Sequence, residues 1–184
     1  MIAMDYRWIE LCRVGDSSAI ERFVHTYQQE VYRLALSILD ESTEAEDATQ
    51  DALLAALRSL DSFRGASNFK TWLYSITVNI CRTRLQHRKR SEKLRNVLGG
   101  ILRTHNSHSL SAEEYAIRSE SDSALWTAIH RMDEKHRIPT VLRYYHELSV
   151  TEISEILRIP EGTVHSRLNT ARKQLYAVLK EGHS

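Results

Sequence analysis

The sequence predicts an all-α chain of two small helical domains, an N-terminal four-helix bundle and a C-terminal helix-turn-helix domain, joined by a linker. Three observations lead there. Apolar residues recur at three- and four-residue steps along most of the 184 residues. Only 6 Gly and 2 Pro occur, too few for a turn-rich β fold. Helix-start signals, an Asp or a Ser/Thr followed by Glu, open the periodic stretches.

A short helix carries Trp8, Ile9, Leu11 and Cys12. Asp16 then caps a long one whose positions Ala19, Phe23, Tyr27, Val31, Leu34 and Ile38 keep helical spacing. Thr43 with Glu46 reads as a capping box for a third helix through Ala45, Ala48, Ala52, Leu53, Ala56, Leu57 and Leu60, whose alanines allow a neighbour to approach closely. Asp61 to Asn68 gathers Asp, Ser, Gly and Asn and is expected to be a loop. A fourth helix starts near Phe69, turns Trp72, Leu73, Ile76, Ile80 and Cys81 inward, and becomes basic at Arg82. These four helices form the first domain, residues 1–90.

Periodicity fades over 91–110, where a linker is expected with a short helix around Leu94 to Leu102. The second domain, 111–184, opens with a Ser111/Glu114 capping box and continues through Ala124, Trp126, Ile129 and Met132. A further helix holds Val141, Leu142, Tyr144 and Tyr145, with Pro139 expected in its first turn or at a kink.

The stretch from Leu148 to Arg172 carries the most information. Ser149 and Glu152 make a capping box, and Ile153, Ile156 and Leu157 form one apolar stripe. After a connection from Arg158 to Glu161, in which Pro160 suits a helix entry, Val164, Leu168, Ala171, Leu175 and Val178 point inward. The outward set is His165, Ser166, Asn169, Thr170, Arg172 and Lys173, hydrogen-bonding and cationic groups suited to base edges and phosphates. A helix-turn-helix of this kind predicts contact with a DNA major groove.

Charge is segregated despite a net charge of only +1. Asp40 to Asp51 carries six acids and no base, whereas Arg82 to Arg95 carries seven bases and one acid. Two different partners are expected, since an acidic surface repels DNA and a basic one attracts it. Cys12 and Cys81 lie too far apart to frame a zinc site or a disulfide scaffold and read as small core residues. No apolar run approaches the roughly 18 residues of a membrane span, and no leader pattern opens the chain, so a cytoplasmic protein without membrane insertion is expected. No nucleophile-base set or phosphate-binding Gly loop occurs. His105 and His108 near Glu113 and Glu114 are the best case for a metal, but nothing in their spacing pairs them on a helix. No enzyme activity, cofactor or metal is expected.

Several motifs together resemble a known family. They are Glu46-Asp47-Ala48-Thr49-Gln50-Asp51, Leu60-Asp61-Ser62-Phe63-Arg64-Gly65, Phe69-Lys70-Thr71-Trp72-Leu73-Tyr74-Ser75-Ile76-Thr77-Val78-Asn79 and Glu161-Gly162-Thr163-Val164-His165-Ser166-Arg167-Leu168. In this order, over nearly the whole chain, they resemble the extracytoplasmic-function (ECF) type alternative sigma factors of the sigma-70 family. The resemblance implies binding to core RNA polymerase, direction of the enzyme to promoters and help in melting the DNA. It places Asp47, Gln50 and Asp51 on the clamp helices of the largest polymerase subunits.

The loop and the following helix correspond to the part that reads the minus-ten element as single-stranded DNA. Phe63 is the expected pocket wall and Asn79 the base-edge partner, with Arg64, Asn68, Lys70, Trp72 and Arg82 around them. Trp72 would serve equally well in the core. Arg84, Arg88, Lys89 and Arg90, with Arg82, would follow the DNA backbone. His165, Ser166, Asn169, Thr170, Arg172 and Lys173 fall on the helix that meets duplex minus-thirty-five DNA, and Arg158 stands where the family commonly has Gly. An anti-sigma factor, in some cases membrane-held, is a further implied partner. A linker of about 20 residues spans at most ~70 Å, and with two domain radii of ~13 Å it reaches promoter elements ~85–90 Å apart. The alternative is a two-domain transcription regulator that binds duplex DNA without being a polymerase subunit.

Overall fold

A computed structural model describes residues 7–65, 68–98 and 120–181, and among them the structure is helical. The helices are α1 (Arg7–Arg13), α2 (Ser17–Leu39), α3 (Ser42–Arg58), α4 (Phe69–Leu98), α5 (Glu120–Arg131), α6 (Glu134–Tyr144), α7 (Val150–Leu157) and α8 (Glu161–Glu181). A 3-10 turn at Leu60–Ser62 begins the segment expected to be a plain loop. None of the described helices is long and apolar enough to cross a membrane.

Local capping explains most of the helix starts. Asp16 accepts the Ala19 N–H at 2.7 Å, as expected. Gly15 precedes it at φ +81, a left-handed turn that brings α1 back onto α2. The start of α3 corrects the expected Thr43/Glu46 box. Glu41 caps it instead, its carboxylate accepting from the amides of Thr43 (3.1 Å) and Glu44 (2.6 Å), because a longer side chain two positions earlier reaches two orphan donors at once.

α4 is also longer than expected. It runs on through Leu98, so the linker expected to begin at residue 91 is still helix there, and the first half of the predicted Leu94–Leu102 helix belongs to α4. The rest of that segment, the Ser111/Glu114 box and the His105/His108 pair lie outside the described residues. Among the described residues no cluster of His, Cys, Asp and Glu is arranged to hold a metal. Pro139 lies in the interior of α6, beyond its first turn.

The bundle is held by two apolar clusters. One gathers Ile9 and Cys12 of α1, Phe23 and Val31 of α2, Ala52, Leu53 and Ala56 of α3, and Leu60, Phe63, Phe69 and Leu73. Its aromatic centre is tightly coupled, with Phe69 edge-on to Trp8 at 4.9 Å and to Phe63 at 5.2 Å. Ala45, Ala48, Ala52 and Ala56 are fully buried, so small side chains do let α3 lie close against α2. Both cysteines are buried, as expected.

The second cluster crosses from one half of the chain to the other. Leu34 and Ile38 of α2, Ala45 and Ala48 of α3, and Tyr74, Val78, Cys81 and Leu85 of α4 continue into Ile138, Val141 and Leu142 of α6, Ile153, Ile156 and Leu157 of α7, and Val164 and Leu168 of α8. The helix-turn-helix unit is therefore docked on the N-terminal bundle, chiefly α7 on α4. Polar contacts line the seam. His146 Nε2 stands 3.1 Å from Ser37 Oγ, Arg82 lies 3.6 Å from Glu134, and His130 lies 3.3 Å from Asp40. Burial, with help from the nearby Lys70 and Arg33 charges, pushes His146 down to about 4, so it is neutral near pH 7.

Candidate nucleic-acid interface

Three surfaces carry the residues singled out in the sequence. On α3, Asp47, Gln50 and Asp51 are all exposed, and their spacing puts them on one face within a turn. Gln50 also lines a groove of about 420 Å³ together with Gln28, Gln29 and Tyr32 of α2 and Glu46 and Thr49 of α3. Those partners carry no local motif and were not expected from the sequence. The only hint is polar Gln28-Gln29 interrupting an apolar helix one turn before Tyr32.

The acidic and basic blocks, expected to face separate partners, partly face each other. Arg84 Nη2 is 2.5 Å from Asp51 Oδ2, and its Nη1 lies 3.8 Å from Asp47. Arg88 pairs with Glu44 and donates to the Leu39 carbonyl at 3.3 Å. Their acids come from a neighbouring helix, so the absence of alternating acids within α4 did not reveal them. Lys89 and Arg90, the next two residues, are exposed.

The second surface is the connection into α4. Asn68 caps that helix, its side-chain oxygen accepting the Lys70 N–H at 3.0 Å and its carbonyl the Trp72 N–H at 3.1 Å. Phe63 is only 7% exposed and packs on Phe69 and Trp72 with ring centres 5.2 and 5.4 Å away. It can serve as a wall but not as a free stacking face. Trp72 is half-buried on the same cluster, and Arg64 is exposed. Lys70 holds Glu30 at 3.1 Å and sits 5.3 Å above the Tyr74 ring. Burial pulls this lysine down, but the Glu30 hydrogen bond and the surrounding charges outweigh that and leave it above its ordinary value.

Asn79 is exposed two turns beyond Trp72 on the same face of α4, at roughly 1.5 Å rise per residue. Arg82, one turn further, is half-buried by its pairing with Glu134. Arg84 and Arg88 point elsewhere, since five residues turn a helix by about 140°. α4 therefore presents one flank to the acidic helix and another to solvent.

The third surface is α8. His165, Ser166, Asn169, Arg172 and Lys173 are exposed, and Thr170 is half-buried, donating to the Ser166 carbonyl at 3.1 Å. Val164, Leu168 and Ala171 are buried beneath them, but Val178 is 47% exposed and corrects the inward stripe at its last turn. The Ser149/Glu152 box forms in full, and the hydrogen bonds from Ser149 hold the Glu152 carboxyl below its ordinary value. Ser154 Oγ donates to the Ile159 carbonyl and Thr151 Oγ1 to Glu161, so both ends of the turn are tied.

Comparison with known proteins bears on these surfaces. The Sigma-70 region 2 family model matches residues 23–91 and the Sigma-70, region 4 model matches residues 122–175. The chain is 32% identical to the ECF RNA polymerase sigma factor SigW of Bacillus subtilis over 94% of its own length and 95% of that protein's. It is 33% identical to the ECF RNA polymerase sigma-E factor of Escherichia coli, covering 91% of this chain and 90% of the other. The chain belongs to the ECF RNA polymerase sigma factors.

The sigma factor is thus a non-enzymatic initiation factor that directs RNA polymerase to promoters, and its family binds core polymerase and promoter DNA. Its fold agrees with a solved relative, the sigma factor RpoE of Bartonella quintana in complex with the anti-sigma factor NepR. The TM-score is 0.66 at 25% identity, over 87% of this chain and 96% of that one. Helices α3 and α7 and all but the last turns of α4 fall inside the matched segments, whereas α1 precedes them.

Proposed function

We propose that the sigma factor divides its two main tasks between the flanks of α4 and adds the third on α8. Asp47, Gln50 and Asp51 dock on the clamp helices of the largest polymerase subunits, with the adjoining Gln28/Gln29/Tyr32 groove receiving part of that surface. An acidic turn suits a basic protein partner and not phosphate. On the other flank, Asn79 with Arg64, Asn68, Lys70, Trp72 and Arg82 holds an unpaired base of the minus-ten strand against the wall containing Phe63, which supports melting. Lys89 and Arg90 follow the phosphates, while Arg84 and Arg88 also brace α3. On α8, His165, Ser166, Asn169, Thr170, Arg172 and Lys173 meet the minus-thirty-five duplex. Residues 1–90 and 111–184 act as the two functional domains.

The separation of Asn79 from the Arg84–Asp51 pairing around α4 carries this proposal, because polymerase and DNA can then be engaged together. An anti-sigma factor of the kind seated on the Bartonella relative is the expected inhibitor, and if membrane-anchored it would hold this cytoplasmic protein at the membrane. Run-off transcription with purified core enzyme tests the division. Asp47→Lys with Gln50→Ala should abolish assembly with core, whereas Asn79→Ala should assemble normally and fail in opening. Sequence-specific gel shifts by the free protein, with no dependence on core, would favour a stand-alone regulator instead.

A further inference from the structure

The helix that precedes the matched segment grips the loop assigned above to the unpaired base. Arg13, the last residue of α1, donates from one nitrogen, Nη2, to the carbonyls of Leu60 at 2.9 Å and Phe63 at 3.1 Å. Those two carbonyls bracket the 3-10 turn. Its Nη1 pairs with Glu10 on the same helix, and its Nε lies 3.5 Å from Asp61 Oδ1. Beneath the guanidinium, Ile9 and Cys12 share an apolar cluster with Leu60 and Phe63.

The result is a cavity of about 330 Å³ with one wall of Ile9, Glu10 and Arg13 and another of Phe63, Arg64 and Gly65. Gly65, at φ +70, gives the second wall a residue that changes backbone state easily. A loop that must be ordered when it captures a nucleotide loses about tenfold in affinity for each residue newly fixed. Charge-assisted bonds from a planar guanidinium remove that loss in advance, and an ammonium, lacking the fork, reproduces them only in part.

We propose that Arg13 is a positioning residue for promoter opening. It sets the Leu60–Gly65 wall so that the extruded base meets a preformed site, and it takes no part in binding polymerase. This rests on the loop being the base-holding element, and the experiment separates the two.

Holoenzyme is assembled from core and the full chain carrying Arg13→Ala, Arg13→Lys, Asn79→Ala or Cys12→Ala. Permanganate reactivity of the minus-ten strand reports opening, and transcription from promoters with each single minus-ten substitution reports discrimination. R13A should bind core normally, open about tenfold less and lose discrimination, with R13K intermediate. C12A, which loosens the same buried cluster, should lower Tm and keep the discrimination profile. Wild-type opening and discrimination in R13A overturns the proposal, as does an equal loss of discrimination in C12A, which would mark a merely structural role. If N79A fails to open promoters while R13A behaves as wild type, Arg13 is excluded and the loop assignment stands; if neither changes, both fall. Should R13A not fold, R13K decides by the same profile.

Discussion

Arg158 closes α7 with φ 53 and ψ 49, the left-handed region in which a Cβ crowds the following carbonyl. Its amide still closes the helix by bonding to Ser154 and Glu155, so the conformation is required by the turn and not chosen by the residue. Arg158→Gly should therefore stabilise the protein by about 1 kcal/mol, read as a higher midpoint in urea or heat; an unchanged or lower midpoint would show that the arginine side chain contributes something the turn geometry hides. The opposite case is Ser149, whose hydroxyl and amide are both engaged by Glu152. Ser149→Ala should cost about 1 kcal/mol by the same measurement. Both features were legible in the sequence because every partner lies within a few residues. The clamp made by Arg13 was not, since its acceptors are backbone carbonyls 47 and 50 residues away.

At the scale of elements, α3 and α4 are joined by Arg84 to Asp51 and Asp47 and by Arg88 to Glu44. If polymerase takes the α3 acids, it competes with Arg84 for them. Arg84→Ala should then leave core binding intact or tighten it two- to fivefold, since exposed pairs of this kind are worth roughly 0–1 kcal/mol, whereas Asp51→Ala should weaken it. Equal weakening by both in a fluorescence titration with core would mean that the pair itself forms the docking surface. Periodicity exposed the helices, and the buried alanine row of α3 was readable as a close contact. What periodicity missed was length and pairing. α4 continues to Leu98 across Gln86 to Lys93, which hold no apolar residue to mark the continuation, and its basic residues find their acids on another helix. The seam between the halves was equally hidden, because of the α4 residues that build it the periodicity turned only Cys81 inward, whereas Tyr74, Val78 and Leu85 are buried by cover that α6 and α7 complete.

For the whole molecule that seam has a consequence of size. A compact body the size of the described residues has a radius of gyration of about 15 Å and is about 40 Å across, while two promoter elements lie ~85–90 Å apart. If the two halves engage both elements at once, as proposed, the docked form cannot reach them and α7 must leave α4. His146 makes that step sensitive to acid. It is held neutral against Ser37 of α2 and edge-on to Tyr74 of α4 at 5.8 Å, in a polar cleft shared with Glu30, Arg33, Lys70, Tyr145 and Glu147. Undocking returns it to water, where a histidine protonates near pH 6.5, whereas the docked ring resists protonation until about 4. Across that window the open form binds more protons, so the docked form is at full strength above about pH 6.5 and weakens as pH falls, by about 2 kcal/mol at pH 5. The same seam holds His130 3.3 Å from Asp40, a pair that is ionic only when the imidazole is protonated. His146→Gln keeps a hydrogen-bonding partner for Ser37 and removes the titration. Small-angle scattering should show the wild type expanding between pH 7 and 5 and the variant expanding less. Identical curves for the two proteins would show that acid opening, if it occurs, does not pass through His146.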